Sequence, residues 1–238
     1  IVRMSFDDGE KVLKDVLAVK ESLVRLDAVA KVFKDLQYAS HKYALDEMSA
    51  DEAYDYLFMA VCALYILERV QFMSSFAITF TICSANYFQP IGKAVQKIAQ
   101  DELEVHVELD KEVLRTELQT ARGRAAYNRL KPKIKELFDT VTDGELVWTD
   151  YMFSEGRELI GTTVKHVKNW VLFMARDPYE FLDIETDHKF PKVNPMPHLE
   201  NWINIGNTQA APQEQDNNQY KVGVIIRDDE TEIFEADF

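Results

Sequence analysis

The segment KIAQDELEVHVEL, running from Lys97, places Glu102 and His106 one helical turn apart. On a helical wheel Val95, Ile98, Leu109 and Val113 all fall within about 40° of Glu102, and His106 does too. Glu104 falls on the far side and Glu108 off the stripe. Two side chains that can ligate a metal therefore interrupt an apolar stripe expected to face a core. A second apolar segment repeats the anomaly. In YLFMAVCALYILERVQFMSSFAITF the row Val61, Leu64 or Tyr65, Glu68, Phe72, Phe76, Phe80 carries one carboxylate among aliphatic and aromatic groups. A buried carboxylate must be protonated, paired with a cation or bound to metal. Arg69 stands about 100° around the helix from Glu68 and pairs with it only by bending back. Two carboxylates and an imidazole suit iron or manganese, whereas zinc more often recruits cysteine. The non-catalytic alternative is a helical scaffold in which the same groups are paired in the core.

The elements that hold these groups read as helices. GEKVLKDVLAVKESLVRLDAVAKVFKDLQ, from Gly9 to Gln37, repeats apolar residues at three and four. Ser49 with Glu52 three residues later is a capping box, so the next helix starts near Ala50 and runs to about Tyr87, with Pro90 as the break. The helix holding Glu102 spans about Ile91 to Leu118. A long helical pattern follows Gly123, with Pro132 kinking or splitting it. It continues to Gly156, and a last helix ends near Arg176.

Composition narrows the class. Among 238 residues, 47% are hydrophobic and 29% charged, with only eight glycines and seven prolines, which favours an all-α globular fold. A net charge of −14 argues against nucleic acid as a partner. Cys62 and Cys83 sit in apolar helical sequence, which indicates a reducing, cytoplasmic setting without disulfides. The apolar run from Tyr56 to Ala85 is interrupted by Glu68 and Arg69, each costing roughly 2.5–3.5 kcal/mol at the centre of a membrane span, so it reads as a buried helix and not a membrane segment. After Phe190 the composition shifts. Four of the seven prolines lie between 191 and 212, and from Glu214 onward there are eight acids against two bases. Residues 1–190 are thus expected to form a helical bundle and 191–238 an extended acidic linker and tail, in which VGVII has the composition of a short strand.

ALYILERVQFMSSFA, then KIAQDELEVH with Glu102 falling 34 residues after Glu68, resembles the second half of the small, radical-bearing subunit of class I ribonucleotide reductase. NPMPHLENWINIGNTQAAPQEQDNNQYKVGVI is similar to that family's approach to its C-terminal tail, and ADF to the tail end of some members. The resemblance implies a ferritin-like bundle with a dinuclear iron site (manganese or a mixed pair in some members), in which Glu68, Glu102 and His106 are ligands. It implies that Phe72, Phe76 and Ile98 line the apolar pocket of a radical tyrosine. Asp101, Glu214 and Tyr220 would belong to the radical-transfer route, Asp101 also orienting a ligand histidine. Implied partners are the large subunit, docked by the tail, and a second copy in a homodimer.

Two departures follow from the comparison of motifs. The family's Glu-x-x-His is here Glu102-Leu-Glu-Val-His106, with Val105 at the usual histidine position, a change that a π-bulge would absorb. The first-half ligands and the radical tyrosine have no counterpart, because residues 1–3 match the family just past that tyrosine. An N-terminal fragment of the same small subunit is therefore expected to complete the site. A ferritin-like oxidase or hydroxylase is the alternative enzyme, and it leaves the tail without a role.

Overall fold

The structure is a computed structural model, and it describes residues 10–11, 14–15 and 18–204. The described residues form α1 (Lys20–Ala44), α2 (Ala50–Ile66), α3 (Met73–Ser84), α4 (Gln89–Gln100), α5 (Val107–Gln119), α6 (Ala121–Met152), α7 (Val164–Phe181) and a short α8 (Glu200–Ile203). No β-strand occurs among them. VGVII lies outside the described residues.

Local chemistry sets the helix starts. Ser49 and Glu52 form the expected capping box, with the Ser49 N–H donating to Glu52 Oε2 at 3.0 Å and the Glu52 N–H to Ser49 Oγ at 3.2 Å. Thr120 caps α6 by accepting from the Gly123 N–H at 2.9 Å. Pro132 does not split that helix, which runs on for 32 residues. Its missing N–H costs one hydrogen bond, and the buried row Leu130, Ile134, Leu137, Phe138 and Val141 holds the helix against the core.

The run expected to be one helix from Ala50 to Tyr87 is interrupted. A π-turn, π1 (Leu67–Gln71), separates α2 from α3, and a second, π2 (Asp101–His106), separates α4 from α5. A π-turn accommodates one extra residue in an α-helix. π2 contains Glu102 and His106, whose spacing is the departure for which a π-bulge was expected. The chain reverses after α3 through Phe88, whose φ of +52° is left-handed, and α4 packs back along α3, so that π1 and π2 meet.

The Ala50–Ser84 segment is long and apolar enough to cross a membrane by length and composition alone. In this fold Cys62, Ala63, Tyr65, Ile66, Val70 and Met73 on it are completely buried in the bundle core.

Residues 191–204, expected in the linker, instead lie on the bundle. Met196 and Leu199 are buried, and the Trp202 ring stacks on Phe80 at 5.2 Å between centroids. Gln96 donates a side-chain hydrogen bond to the Trp202 carbonyl at 2.9 Å. Prolines limit this stretch to short helical turns without preventing side chains from docking, which is why composition alone placed the boundary too early.

Candidate metal centre

π1 and π2 bring Glu68, Glu102 and His106 together. One ligand atom from each lies within 4.8 Å of the other two. His106 Nδ1 is 2.7 Å from Glu102 Oε2 and 3.7 Å from Glu68 Oε2. The Glu68 side chain is only 13% exposed, and its Oε2 is buried with no hydrogen-bond partner. Arg69 does not bend back to it. Its guanidinium turns instead toward Asp177 on α7, with Nε 3.6 Å from Oδ2, and Asp177 also receives the Tyr65 hydroxyl and Lys111.

Titration follows from this crowding. Burial, then the hydrogen bond and charge of Glu102, push the Glu68 carboxyl up to about 8 against the pull of His106. Burial alone would raise Glu102 as well, but hydrogen bonding with Glu68 and His106 outweighs it and holds this group below the usual range. The hydrogen bond to Glu102 chiefly raises His106. Two carboxyls and an imidazole thus hold protons in common at one spot. A divalent cation placed among them would displace those protons and satisfy the orphaned Glu68 oxygen. Hard oxygen donors with one imidazole suit iron or manganese, so the residues present fit part of a dinuclear carboxylate centre.

The surroundings correct one expectation. The stripe of Val95, Ile98, Leu109 and Val113 was predicted to be buried. Val95 is partly buried, but Ile98 is 52%, Leu109 61% and Val113 38% exposed, and the His106 side chain is 48% exposed. The core instead takes a neighbouring face, roughly 100° around the helix, through Ala99, Leu103, Val107 and Leu114. The helix is apolar on two sides, and among the described residues only one side is covered. Ile98 therefore stands at an open edge, whereas Phe72 and Phe76 form a wall behind π1 with ring centroids 6.0 Å apart. Asp101 is exposed, and the Nδ1 contacts of His106 go to Glu102 and Glu68, not to it. Glu214 and Tyr220 lie outside the described residues.

Polar groups that periodicity did not single out also surround the site. Asp110, one turn beyond His106, is buried with its Oδ2 unpartnered, and burial pushes its carboxyl up to about 6. Glu145 of α6 is wholly buried against Arg25 of α1. Its position in the row Ile134, Phe138, Val141, Glu145 was a legible signal of the kind that marked Glu68. A cleft of about 840 Å³ between α1, α2 and α6, lined by Asp27, Lys31, Tyr56 and Met59 among others, includes none of the three clustered groups.

Residues 10–195 match the family described as "Ribonucleotide reductase, small chain". The chain belongs to that family. Among similar proteins, Ribonucleoside-diphosphate reductase 1 subunit beta of Escherichia coli O157:H7 is 22% identical over 98% of this chain and 65% of its own length. The beta subunit of Haemophilus influenzae is 23% identical over 99% and 66%, and that of Enterobacteria phage T4 is 19% identical over 96% and 65%. The chain thus spans about two thirds of the length of these relatives. A Bacillus halodurans crystal structure, provisionally described as a class I ribonucleotide reductase, shares the fold, with a TM-score of 0.51 and 19% identity over 74% of this chain and 60% of that one. The architecture is accordingly the ferritin-like helical bundle of this family.

Proposed function

We propose that this chain provides one half of the dimetal centre of a ribonucleotide reductase small subunit, and that polypeptide outside this sequence, equivalent to the N-terminal part of the relatives, provides the other half. The observation that carries the reading is the orphaned Glu68 oxygen at the meeting point of Glu102 and His106, beside an apolar edge of Ile98, Val105 and Leu109 that no described element covers. An uncovered apolar edge of this kind is what a missing ligand-bearing helix would bury.

When bound, a dinuclear iron centre (or a manganese or mixed one) supplies the oxygen-dependent, one-electron oxidation of a tyrosine that starts the reduction of ribonucleotides to deoxyribonucleotides. The chain's own residues do the rest. Glu68 and Glu102 would hold the cations and neutralise their charge, each giving up its share of the common protons. His106 adds a neutral nitrogen through Nδ1, the atom already aimed at both carboxylates. Phe72, Phe76 and Phe80 succeed one another at 6.0 Å and end on Trp202. That wall keeps water from the side on which the tyrosine would sit, and Ile98 closes the same pocket once the missing helix covers it.

Asp101, exposed beside Glu102, is assigned with Glu214 and Tyr220 to the route that carries the oxidising equivalent toward the large subunit. The acidic tail is assigned the docking of that subunit. The assembly is a cytoplasmic homodimer of completed small subunits.

The test is to assay bound iron and the tyrosyl radical signal for this chain alone and after combination with the N-terminal part of a small subunit. The full dimetal complement and the radical are expected only in the combination, this chain alone binding a single ion weakly, and Glu68→Ala is expected to abolish metal and radical while leaving the helical content intact. A full dimetal complement and radical in this chain alone would overturn the division of the site.

A further inference from the structure

We infer that the buried Glu145–Arg25 pair is a positioning clamp that fixes π1, the turn from which Glu68 is presented. The inference rests on the reading of Glu68 as a ligand only for its consequence in metal binding, not for its geometry.

The geometry is local and complete. Arg25 Nε donates to Glu145 Oε2 at 2.6 Å and Nη2 to Oε1 at 3.2 Å, and the Glu145 side chain is 0% exposed. Glu145 Oε1 also accepts the backbone N–H of Ser74 at 2.9 Å. Ser74 is the second residue of α3, where the helix restarts after π1, so its N–H belongs to the first turn and has no intrahelical acceptor of its own. On the other side, the Gln71 side-chain amide, on the last residue of π1, donates to the Arg25 carbonyl. The Glu145 side chain thus holds one flank of the turn, and the Arg25 backbone holds the other. Thr149 reinforces the arrangement, its Oγ1 lying 2.6 Å from Ser74 Oγ and donating to the Glu145 carbonyl at 2.9 Å. The Arg25 guanidinium is further held over the Trp148 ring at 5.2 Å.

A buried ion pair is a poor way to gain stability, because desolvation offsets most of the attraction and packed apolar side chains do as well or better. What apolar groups cannot do is accept the Ser74 N–H or set the register of a turn with one residue in excess. A relaxed π1 would shift Glu68 along or around the helix and separate it from Glu102 and His106. Anchoring a ligand's own support in this way is what keeps a metal site at bonding geometry.

The experiment uses the full chain and compares Glu145→Leu with Leu130→Ala, a core variant on α6 chosen to lower stability without touching π1. Two readouts are taken: amide hydrogen exchange across residues 67–76, and affinity for Mn(II) added alone. Exchange in this segment is expected to be about tenfold faster in Glu145→Leu than in Leu130→Ala, and Mn(II) affinity about 10–100-fold weaker. Glu145→Gln keeps an oxygen for the Ser74 N–H but loses the charge facing Arg25. It is expected to show the same pattern to a smaller degree, and it serves if the leucine variant does not fold. Exchange across 67–76 no faster than in Leu130→Ala would overturn the clamp, as would faster exchange with unchanged Mn(II) affinity. If the wild-type chain binds no Mn(II), it is the reading of the metal centre that fails, and the exchange comparison still decides whether the pair holds the turn.

Discussion

Glu68 and Glu145 are both glutamates inside the bundle, one within the interruption between α2 and α3 and the other bonded to its flank from α6, yet the fold treats them oppositely. Glu145 meets a bidentate guanidinium and a backbone N–H, so its oxygens are supplied by this chain. Glu68 meets another carboxylate and a half-exposed imidazole, and one of its oxygens is buried without a partner. Burial of a charge is tolerated where partners surround it and is costly where they do not. The first glutamate is finished by this sequence. The second keeps a buried oxygen that no described residue satisfies.

The largest effect that sharpens the contrast comes from removing the satisfied group. Glu145→Leu leaves Arg25 buried and unpaired and is expected to destabilise the chain by about 3–5 kcal/mol in chemical denaturation. An effect below about 1 kcal/mol would show that the pair is already open to water.

A pH series tests the unsatisfied group. Because the folded carboxyl of Glu68 is raised from 4.5 to about 8, the folded state holds its proton more tightly than the unfolded state does. Its contribution is therefore fully present below about pH 4.5 and lost as pH rises through about 8. Glu145, pushed up to about 7 by burial against the pull of Arg25, adds to the same slope at lower pH. Between pH 7 and 9 the loss should belong mainly to Glu68 and be on the order of 1 kcal/mol, allowing for coupling to Glu102 and access of water at the open edge. Rising stability of the metal-free chain over that window would contradict the assignment.

Glu68→Met removes the orphaned carboxyl and leaves Glu102 its His106 partner. At pH 9 it is expected to stabilise the metal-free chain by about 1–2 kcal/mol and to flatten the slope between pH 7 and 9, the opposite sign to Glu145→Leu. The smallest effect lies away from both groups. Ser49→Ala, which breaks the capping box at the start of α2, should cost about 1 kcal/mol and leave that pH slope unchanged.

Much of this contrast is written in local sequence. Ser49 and Glu52 announce the start of α2, and the placement of Glu68, Glu102 and His106 in apolar rows anticipates their convergence. The extra residue before His106 anticipates π2. What remains hidden depends on partners distant in sequence. Periodicity marks Ile98, Leu109 and Val113 as apolar but does not say which neighbour covers them, so a stripe awaiting a partner reads like one already in a core. Arg25 and Glu145 are 120 residues apart, and no local pattern pairs them. Residues 191–204 look like a linker because their prolines leave room for only short helical turns, while Met196, Leu199 and Trp202 dock on the bundle through their side chains and the Trp202 carbonyl.

The central claim is that Glu68 and Glu102 are tolerated at the π-turns because a cation sits between them in the completed protein. An anomalous-difference map of the chain assembled with its N-terminal complement and loaded with manganese tests this directly. A metal peak within bonding distance of Glu68, Glu102 and His106 Nδ1 is the predicted result. Carboxylates found apart, each neutralised by an arginine or lysine of the added segment with no metal peak between them, would contradict it.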